Sequence, residues 1–493
     1  MASLHLSAPT PTIAHMFAPL DDAAVLAEMA AAQRDERVAT ARRILLAGRL
    51  VQLRTAAVDE DDRTQWCIDN WEAVAAEVGA ELGISRGRAS SQMNYGFELL
   101  ERLPKLGRVF AAGDVEFRVI VAAVFRTGLI TEPELLDRID AVLARSAPTW
   151  NKLSQKRLAQ LIDHWVCNID PAAVRTTREA AEDRHIEFGE PHNGMVEFWG
   201  ALRSTDAAAL ERTLDGLADA VCATDPRTKA QRRADALARL TGTAPALGCE
   251  CGASDCTAAQ SDPPTSVVIH VIAEAATLDG RGAAPGHLPG YGTVPPAMVR
   301  KLAETAKLRP LDLAALSCPE GRYRPSAALA EYIRCRDLHC RFPGCDRPAE
   351  YCDIDHTVPW QLGGPTHPSN LNLRCRSHHL LKTFWTGENG WKEKQYSDGR
   401  IVFTSPSGRT YTTKPSGALF FPQLAEPIGE ITIEDRHATN GAGRTLMMPT
   451  RRRTRAEERA ARIRWERGLN EARWAAWLEA QDGWAAQADP PPF

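Results

Sequence analysis

The stretch CRFPGCDRPAEYCDIDHTVPWQLGGPTHPSNLNLRCRSHHLLK, residues 340–382, decides how the rest of the chain is read. Cys340 and Cys345 are separated by four residues, with Pro343 and Gly344 in the turn between them. Cys375 and His378 follow at Cys-x-x-His spacing. A tight turn can present two soft ligands to one ion. A loop entering a helix brings residues three apart to within about one turn of each other. Four N/S ligands with no vacancy describe a closed, structural Zn²⁺ site on Cys340, Cys345, Cys375 and His378. The alternative is a set of ordinary buried thiols.

Between the two pairs, Tyr351 to His356 alternates polar and apolar residues and predicts a short strand. Gly363-Gly364-Pro365 marks a turn, and Asn370-Leu371-Asn372-Leu373 resumes the alternation. His378 to Lys382 opens a helix. Two strands and a helix of this size bury too little apolar surface to stand alone, so the ion has a folding role.

This segment resembles the HNH endonuclease module, the ββα-metal finger, in its zinc-bearing form. The likeness runs from Arg334 to Trp391, about sixty residues. The first His of the motif matches His356, the Asn matches Asn370 in preference to Asn372, and the last His matches His379. The resemblance implies that His356 is a general base and that Asp355 and His379 hold a catalytic divalent cation, Mg²⁺ or another. It implies that Asn370 braces the loop or orients the base. It further implies DNA as partner, with Arg374 and Lys382 as candidate contacts. His378 and His379 are adjacent, so their roles are exchangeable on spacing alone. The chain departs from the family pattern in three ways. A His stands as fourth zinc ligand, Arg374 replaces an aliphatic residue, and Cys335 and Cys352 are extra thiols nearby.

Elementary chemistry points the same way. Cleaving a phosphodiester requires a base to activate water, and an imidazole with a reference pKa of about 6.5 can accept that proton. A hard cation on one carboxylate and one imidazole keeps open positions for phosphate oxygens and acts as a Lewis acid.

Outside this stretch the composition is that of an ordinary soluble protein: 493 residues, 25% charged, 44% apolar, net charge −4. The length predicts two to four domains. Any DNA contact is therefore local rather than a property of the whole chain. Residues 334–382 carry seven Lys/Arg against five Asp/Glu. No apolar run is long enough for a bilayer, and Met1 to Leu20 lacks the basic start and apolar stretch of a signal peptide. Twelve clustered cysteines without such a signal favour a reducing cytoplasm over a disulfide scaffold.

Upstream, residues 1–20 are Pro/Ser/Ala-rich and read as disordered. Residues 21–170 are Ala-rich with apolar spacings of three and four, a helical bundle. Within it a helix ends near Leu82-Gly83, and Ser85 can cap the next, with Arg86 and Arg88 in its first turn. The pair resembles helix-turn-helix DNA readers, which makes Arg86 and Arg88 candidate DNA contacts; a plain helical hairpin inside the bundle is the favoured reading, because a helix dipole disfavours arginines at an N-terminus. Residues 171–325 form an α+β layer. It has a hairpin turning at Asn193-Gly194, helices over 206–222 and 227–240, and an apolar strand over 267–272. A cysteine-rich loop, Cys249-Glu250-Cys251 with Cys256, is either a metal clip lacking a clear fourth ligand or a group of reduced thiols. Cys222, His270 and His287 are candidates for that ligand.

Several segments carry a second resemblance: the Leu82-Gly83-Ile84-Ser85 helix pair, Glu101-Arg102-Leu103-Pro104, Asp225-Pro226-Arg227-Thr228, Gln231 to Leu237, and Gly290-Tyr291-Gly292. Over residues 40–320 the chain resembles the family known as domain of unknown function 222, or the 13E12 repeat family. Its members commonly carry a C-terminal HNH module. The family supplies no assigned chemistry.

Downstream, a nuclease domain over 326–395 is followed by a β-hairpin extension over 396–425 and a basic helical tail over 426–493. Arg451 to Arg473 holds nine Arg and four Glu. This helix either grips phosphates or docks its tryptophans on the body. The expected fold is α+β, mainly helical in its N-terminal region, with a zinc-stabilised ββα-metal finger near the C-terminus. The expected function is a metal-dependent DNA endonuclease. The alternative is a non-catalytic, zinc-stabilised DNA-binding or assembly protein.

Overall fold

The computed structural model describes residues 20–55, 62–175, 184–192, 195–202, 204–240, 248–249, 251–256, 270–289, 291–429, 431 and 447–487. Among them the chain is mainly helical, with small sheets. No helix of the described residues is long and apolar enough to cross a membrane.

The first part is a bundle of α1 (Asp22–Thr55), α2 (Asn70–Leu82), α3 (Arg86–Glu101), α4 (Pro104–Ala111), α5 (Phe117–Arg126), α6 (Pro133–Ser146) and α7 (Gln155–Ile169). Local signals set its ends. Asp69 caps α2 by accepting from the Glu72 amide at 2.9 Å, and prolines open α4 and α6. Leu158, Ile162 and Val166 recur at four-residue spacing and form the buried stripe of α7. They meet Leu99, Leu103, Phe110, Ile120, Ile139 and Leu143 in one apolar core. Helices α1 and α3 touch backbone to backbone at Gly48 and Gly96. A Cβ on Gly96 would lie 2.0 Å from the Ile44 carbonyl oxygen, so neither helix tolerates a side chain there.

In the described part of the middle region, expected to be an α+β layer, β1 (His185–Phe188) and β2 (Phe198–Ala201) make one antiparallel pair, and β3 (Gly286–Leu288) and β4 (Gly292–Val294) make another. Strand β1 is exposed along its length. Helices α8 (Ser204–Asp219) and α9 (Lys229–Arg239) lie between them, the second opened by a Thr228–Gln231 capping box. The turn at 193–194 and most of the strand expected over 267–272 lie outside the described residues, as do residues 1–19. Ile272 itself bridges to His287. A helix over Pro296–Ala303, α10, follows.

The C-terminal region begins with α11 (Ala327–Asp337) and continues through β5 (Cys352–His356), β6 (Leu371–Cys375) and α12 (Arg376–Phe384). Strands β5 and β6 pair antiparallel, with Asp355 opposite Asn372 and His356 opposite Leu371. A three-stranded meander follows: β7 (Lys392–Gln395), β8 (Ile401–Thr404) and β9 (Thr410–Thr413). The boundary expected at 395/396 therefore cuts a sheet. Strand β7 belongs to the meander by its ladder, and to the finger through Glu393 and Gln395, which contact Arg374 and Asn372.

The basic tail forms α13 (Arg455–Gln487). Its arginines, not its tryptophans, hold it to the bundle. Arg455 pairs with Asp69 and Glu72, Arg459 with Glu98, and Arg467 with Asp170. Trp465, Trp474 and Trp477 stay exposed. Buried carboxylates of the bundle thus neutralise these three of the guanidiniums that the sequence alone offered to phosphate.

Candidate functional site

The finger is built around buried charge. Asp337, at the end of α11, is fully buried. It accepts from Arg336 Nε at 2.8 Å, Arg341 at 2.9 Å and the Leu373 amide at 3.0 Å. Arg336 also donates to the Pro368 and Leu371 carbonyls, and Arg341 to those of Gly399 and Thr413. One carboxylate thus joins α11, the turn after it, β6 and the meander. Burial opposes its charge, but Arg336 and Arg341 outweigh burial and hold the carboxyl below the usual carboxylate range.

Just beyond this hub, Cys340, Cys345, Cys375 and His378 converge, their ligand atoms all within 4.8 Å of one another. Cys340 Sγ stands 3.5 Å and Cys375 Sγ 3.2 Å from His378 Nδ1, and Cys345 Sγ lies 4.0 Å from Cys375 Sγ. Ligands at about 2.3 Å (S) and 2.0 Å (N) around a tetrahedral ion stand about 3.5–3.8 Å apart, so this set fits a metal such as zinc. Phe342 stacks on the His378 ring at 4.0 Å and fixes its plane. The two further thiols are not among the four that converge, although Cys352 stands beside Cys340 and opposite Cys375 in the ladder. Cys352 donates to the Arg347 and Pro348 carbonyls at 3.3 Å, and Cys335 packs in the apolar core under α11. The turn between α2 and α3 sits against the cluster. Gly344 has φ +76, and a Cβ there would come within 2.6 Å of the Ile84 carbonyl oxygen.

The second His of the pair faces acids instead. His379 Nδ1 donates to Asp353 Oδ2 at 2.9 Å, because a carboxylate can only accept. That leaves the Nε2 lone pair 3.7 Å from Asp355 Oδ1. Lys382 takes the other Asp355 oxygen at 2.7 Å and also pairs with Glu393. Burial opposes ionisation of Asp355, but Lys382, His379 and Arg374 overcome it and hold the carboxyl below its ordinary range. His356 follows Asp355 and ends the strand. Its Nε2 stands 2.9 Å from Thr366 Oγ1, and its ring stacks on Tyr323 at 5.3 Å. The Thr366 hydroxyl donates to the Arg322 carbonyl at 2.6 Å, so it accepts from His356 Nε2–H. The free lone pair of the imidazole is therefore on Nδ1. Burial pushes His356 below the ordinary imidazole value. Asn370 braces the loop between the strands with its whole amide. Its Oδ1 accepts from the Val358 amide at 2.8 Å, and its Nδ2 donates to the Val358 and Pro365 carbonyls at 3.0 and 2.9 Å.

Comparison with known proteins places the whole chain. The family described as a domain of unknown function, DUF222, matches residues 24–337. The chain belongs to the DUF222 family. It is 42% identical to the uncharacterized protein Rv2100 of Mycobacterium tuberculosis over 523 residues, covering 95% of this chain and 93% of that one. It is 44% identical to the uncharacterized protein Rv3776 of the same organism over 481 residues, covering 91% and 90%. Those shares are too large to leave out the C-terminal finger, although the family match itself stops at Asp337. No solved structure matches the DUF222 chain.

Three of the candidate DNA contacts of this DUF222 protein are engaged internally. Arg374 is buried in β6, pairs with Glu393 and lies over Phe403, because every position of that strand is covered. Lys382 is spent on Asp355, Glu393 and the His356 and Thr357 carbonyls. Arg86 pairs with Glu72. Only Arg88 of the four is exposed without an internal acid, in a cleft beside Cys345 and Lys414. Two site residues were not singled out from the sequence. Asp353 was legible, since it lies two positions from Asp355 on one face of a strand. Thr366 was not, because only closure of the loop brings it to His356.

Proposed function

We propose that this DUF222 protein is a metal-dependent endonuclease of the HNH, ββα-metal type, hydrolysing DNA phosphodiesters in a cytoplasmic setting. The observation that carries the reading is the His379–Asp355 approach at 3.7 Å, with His379 oriented by Asp353, at the end of the strand that bears His356. Two ligands about 2.1 Å from one ion can stand up to about 4.2 Å apart, so Asp355 and His379 fit a shared divalent cation such as Mg²⁺. Asn372, opposite Asp355 in the ladder and on its face, has a buried Oδ1 with no hydrogen-bond partner, a further oxygen that suits a hard cation. When bound, the cation supplies Lewis-acid stabilisation of the phosphate and leaving oxygen.

The chain's own residues do the rest. His356 Nδ1 takes a proton from water, and Thr366 holds the ring in the tautomer that leaves Nδ1 free. Asn370 keeps the loop closed around the base. Zn²⁺ on Cys340, Cys345, Cys375 and His378 holds the scaffold and takes no part in chemistry.

The test is a supercoiled-plasmid cleavage assay across Mg²⁺, Mn²⁺, Ni²⁺ and EDTA. Metal-dependent nicking should fall by about 10²–10⁴-fold in His356→Ala with zinc content unchanged. The acid limb of its pH–rate profile should lie below about pH 6.5, the ordinary imidazole value, because burial lowers His356. No cleavage with any metal, or equal cleavage by His356→Ala, sinks the reading. One observation favours the second reading, a non-catalytic zinc-stabilised DNA-binding or assembly protein: Lys382 already neutralises Asp355. Retardation of DNA without strand breaks would select it.

A further inference from the structure

The cysteine-rich loop lacked a fourth ligand in sequence; the fold supplies one from a distance. Cys222 lies just past the end of α8, 27 residues before Cys249. Folding brings the Sγ atoms of Cys222, Cys249, Cys251 and Cys256 all within 4.8 Å of one another. The two other candidate ligands, His270 and His287, are not in the group. All four cysteines are partly buried free thiols.

The geometry is that of a metal site rather than a disulfide. Cys222 and Cys249 Sγ stand 3.2 Å apart. A disulfide needs about 2.05 Å, and thiolates around tetrahedral zinc stand about 3.8 Å apart. The surroundings form a held cradle. Arg227 donates to the Gly248 carbonyl at 2.7 Å and is itself fixed by Asp225 and Asp235, so the loop is tied to the mouth of α9. Thr224 Oγ1 lies 3.1 Å from Cys222 Sγ, the outer-sphere contact that metal thiolates commonly have.

The energetics of this lobe call for such an ion. Among the described residues the buried apolar side chains of this lobe are Ala218, Val221 and Ala236, all small, with Leu214, Leu217 and Cys249 partly buried against Val221 and Ala236. At about 2 kcal/mol for each large side chain removed from water, that core cannot offset the ordering of two helices and a loop.

We propose that Cys222, Cys249, Cys251 and Cys256 bind one structural Zn²⁺ as four thiolates, and that this ion rather than an apolar core holds helices α8 and α9 to the cysteine loop. The site is independent of the nuclease reading and of the Cys340 cluster.

The experiment is metal analysis of the full chain purified under reducing conditions. Wild type should carry about two zinc ions per chain. Cys251→Ser/Cys256→Ser should lose about one and keep the other, as should Cys340→Ser/Cys375→Ser. An unchanged zinc content in Cys251→Ser/Cys256→Ser overturns the proposal, whether wild type carries one zinc or two; so does iron in place of the zinc those cysteines hold. Should the variants fail to fold, cobalt-loaded wild type decides. Seven thiolates over two ions give more than twice the sulfur-to-cobalt charge-transfer intensity of the three at the Cys340 cluster. Intensity matching three thiolates overturns the proposal.

Discussion

In the N-terminal bundle the largest fully buried side chains are apolar, Phe110, Ile44, Met93 and Leu99 among them, while in the C-terminal finger they are Arg336, Arg341 and Arg374. Helices α1 and α3 to α7 turn apolar side chains to one core, and α2 packs with α1 and α3 in a second apolar cluster, so burial is the main source of the bundle's order. The finger is too small for that. It arranges each buried guanidinium against a carboxylate and gathers four soft ligands at one point. Such pairs cost desolvation and are weak sources of net stability, but they fix one geometry and punish its loss. The proposed reaction centre would benefit from the second property, since Asp355 and Lys382 are held by charged partners largely shut away from water.

The contrast can be broken experimentally, most sharply with the metal. Cys375→Ser should release zinc and cost much of a binding free energy of about 10–16 kcal/mol, unfolding the finger while the bundle stays helical. Hydrogen exchange of peptides from residues 334–391 and from residues 70–169 reads the two regions separately. One transition covering both would show that they do not differ in this way. The next largest effect is expected at the charge hub. Asp337→Asn leaves two buried guanidiniums unpaired and should cost about 3–5 kcal/mol in chemical denaturation. The wild-type contribution has a definite pH sign. The folded carboxyl is held below its ordinary value, so its stabilisation is complete above the carboxylate range and is lost as pH falls through the depressed pKa. Acid should therefore weaken the finger before the bundle.

Truncation of the apolar core should act on the other region. Leu158→Ala should cost about 2–5 kcal/mol in the bundle transition with zinc content untouched. A change in bound metal would mean the two regions share one cooperative unit. The smallest effect is at the tail. Arg459→Ala removes one of two partners of Glu98, and Arg102 remains, so about 0.5–1 kcal/mol is expected, diminishing with added salt. A larger, salt-independent loss would place α13 among the essential parts of the bundle.

Much of this was legible along the chain. The ligand spacings of the finger, its strand-strand-helix order and the helical stripes of the bundle all follow from periodicities of two, three and four residues. These are local rules and do not depend on what packs against them. The fates of charged side chains were not legible. Arg374, Lys382, Arg86 and the α13 arginines read as phosphate contacts until their acids arrived from elsewhere, Glu393 nineteen residues from Arg374 and Glu98 on another helix. Spacing also left His378 and His379 interchangeable. Only the packing of β5 against α12 sends one to the thiols and the other to Asp353. Cys222 joined the cysteine loop in the same way, through a closure of 27 residues. Sequence by itself determined which atoms could bind a metal or take a proton, because that is a property of residue type and local geometry. Tertiary structure decided which of them are still available to do so, because a charge or a lone pair is committed by whichever partner the fold brings within about 3 Å.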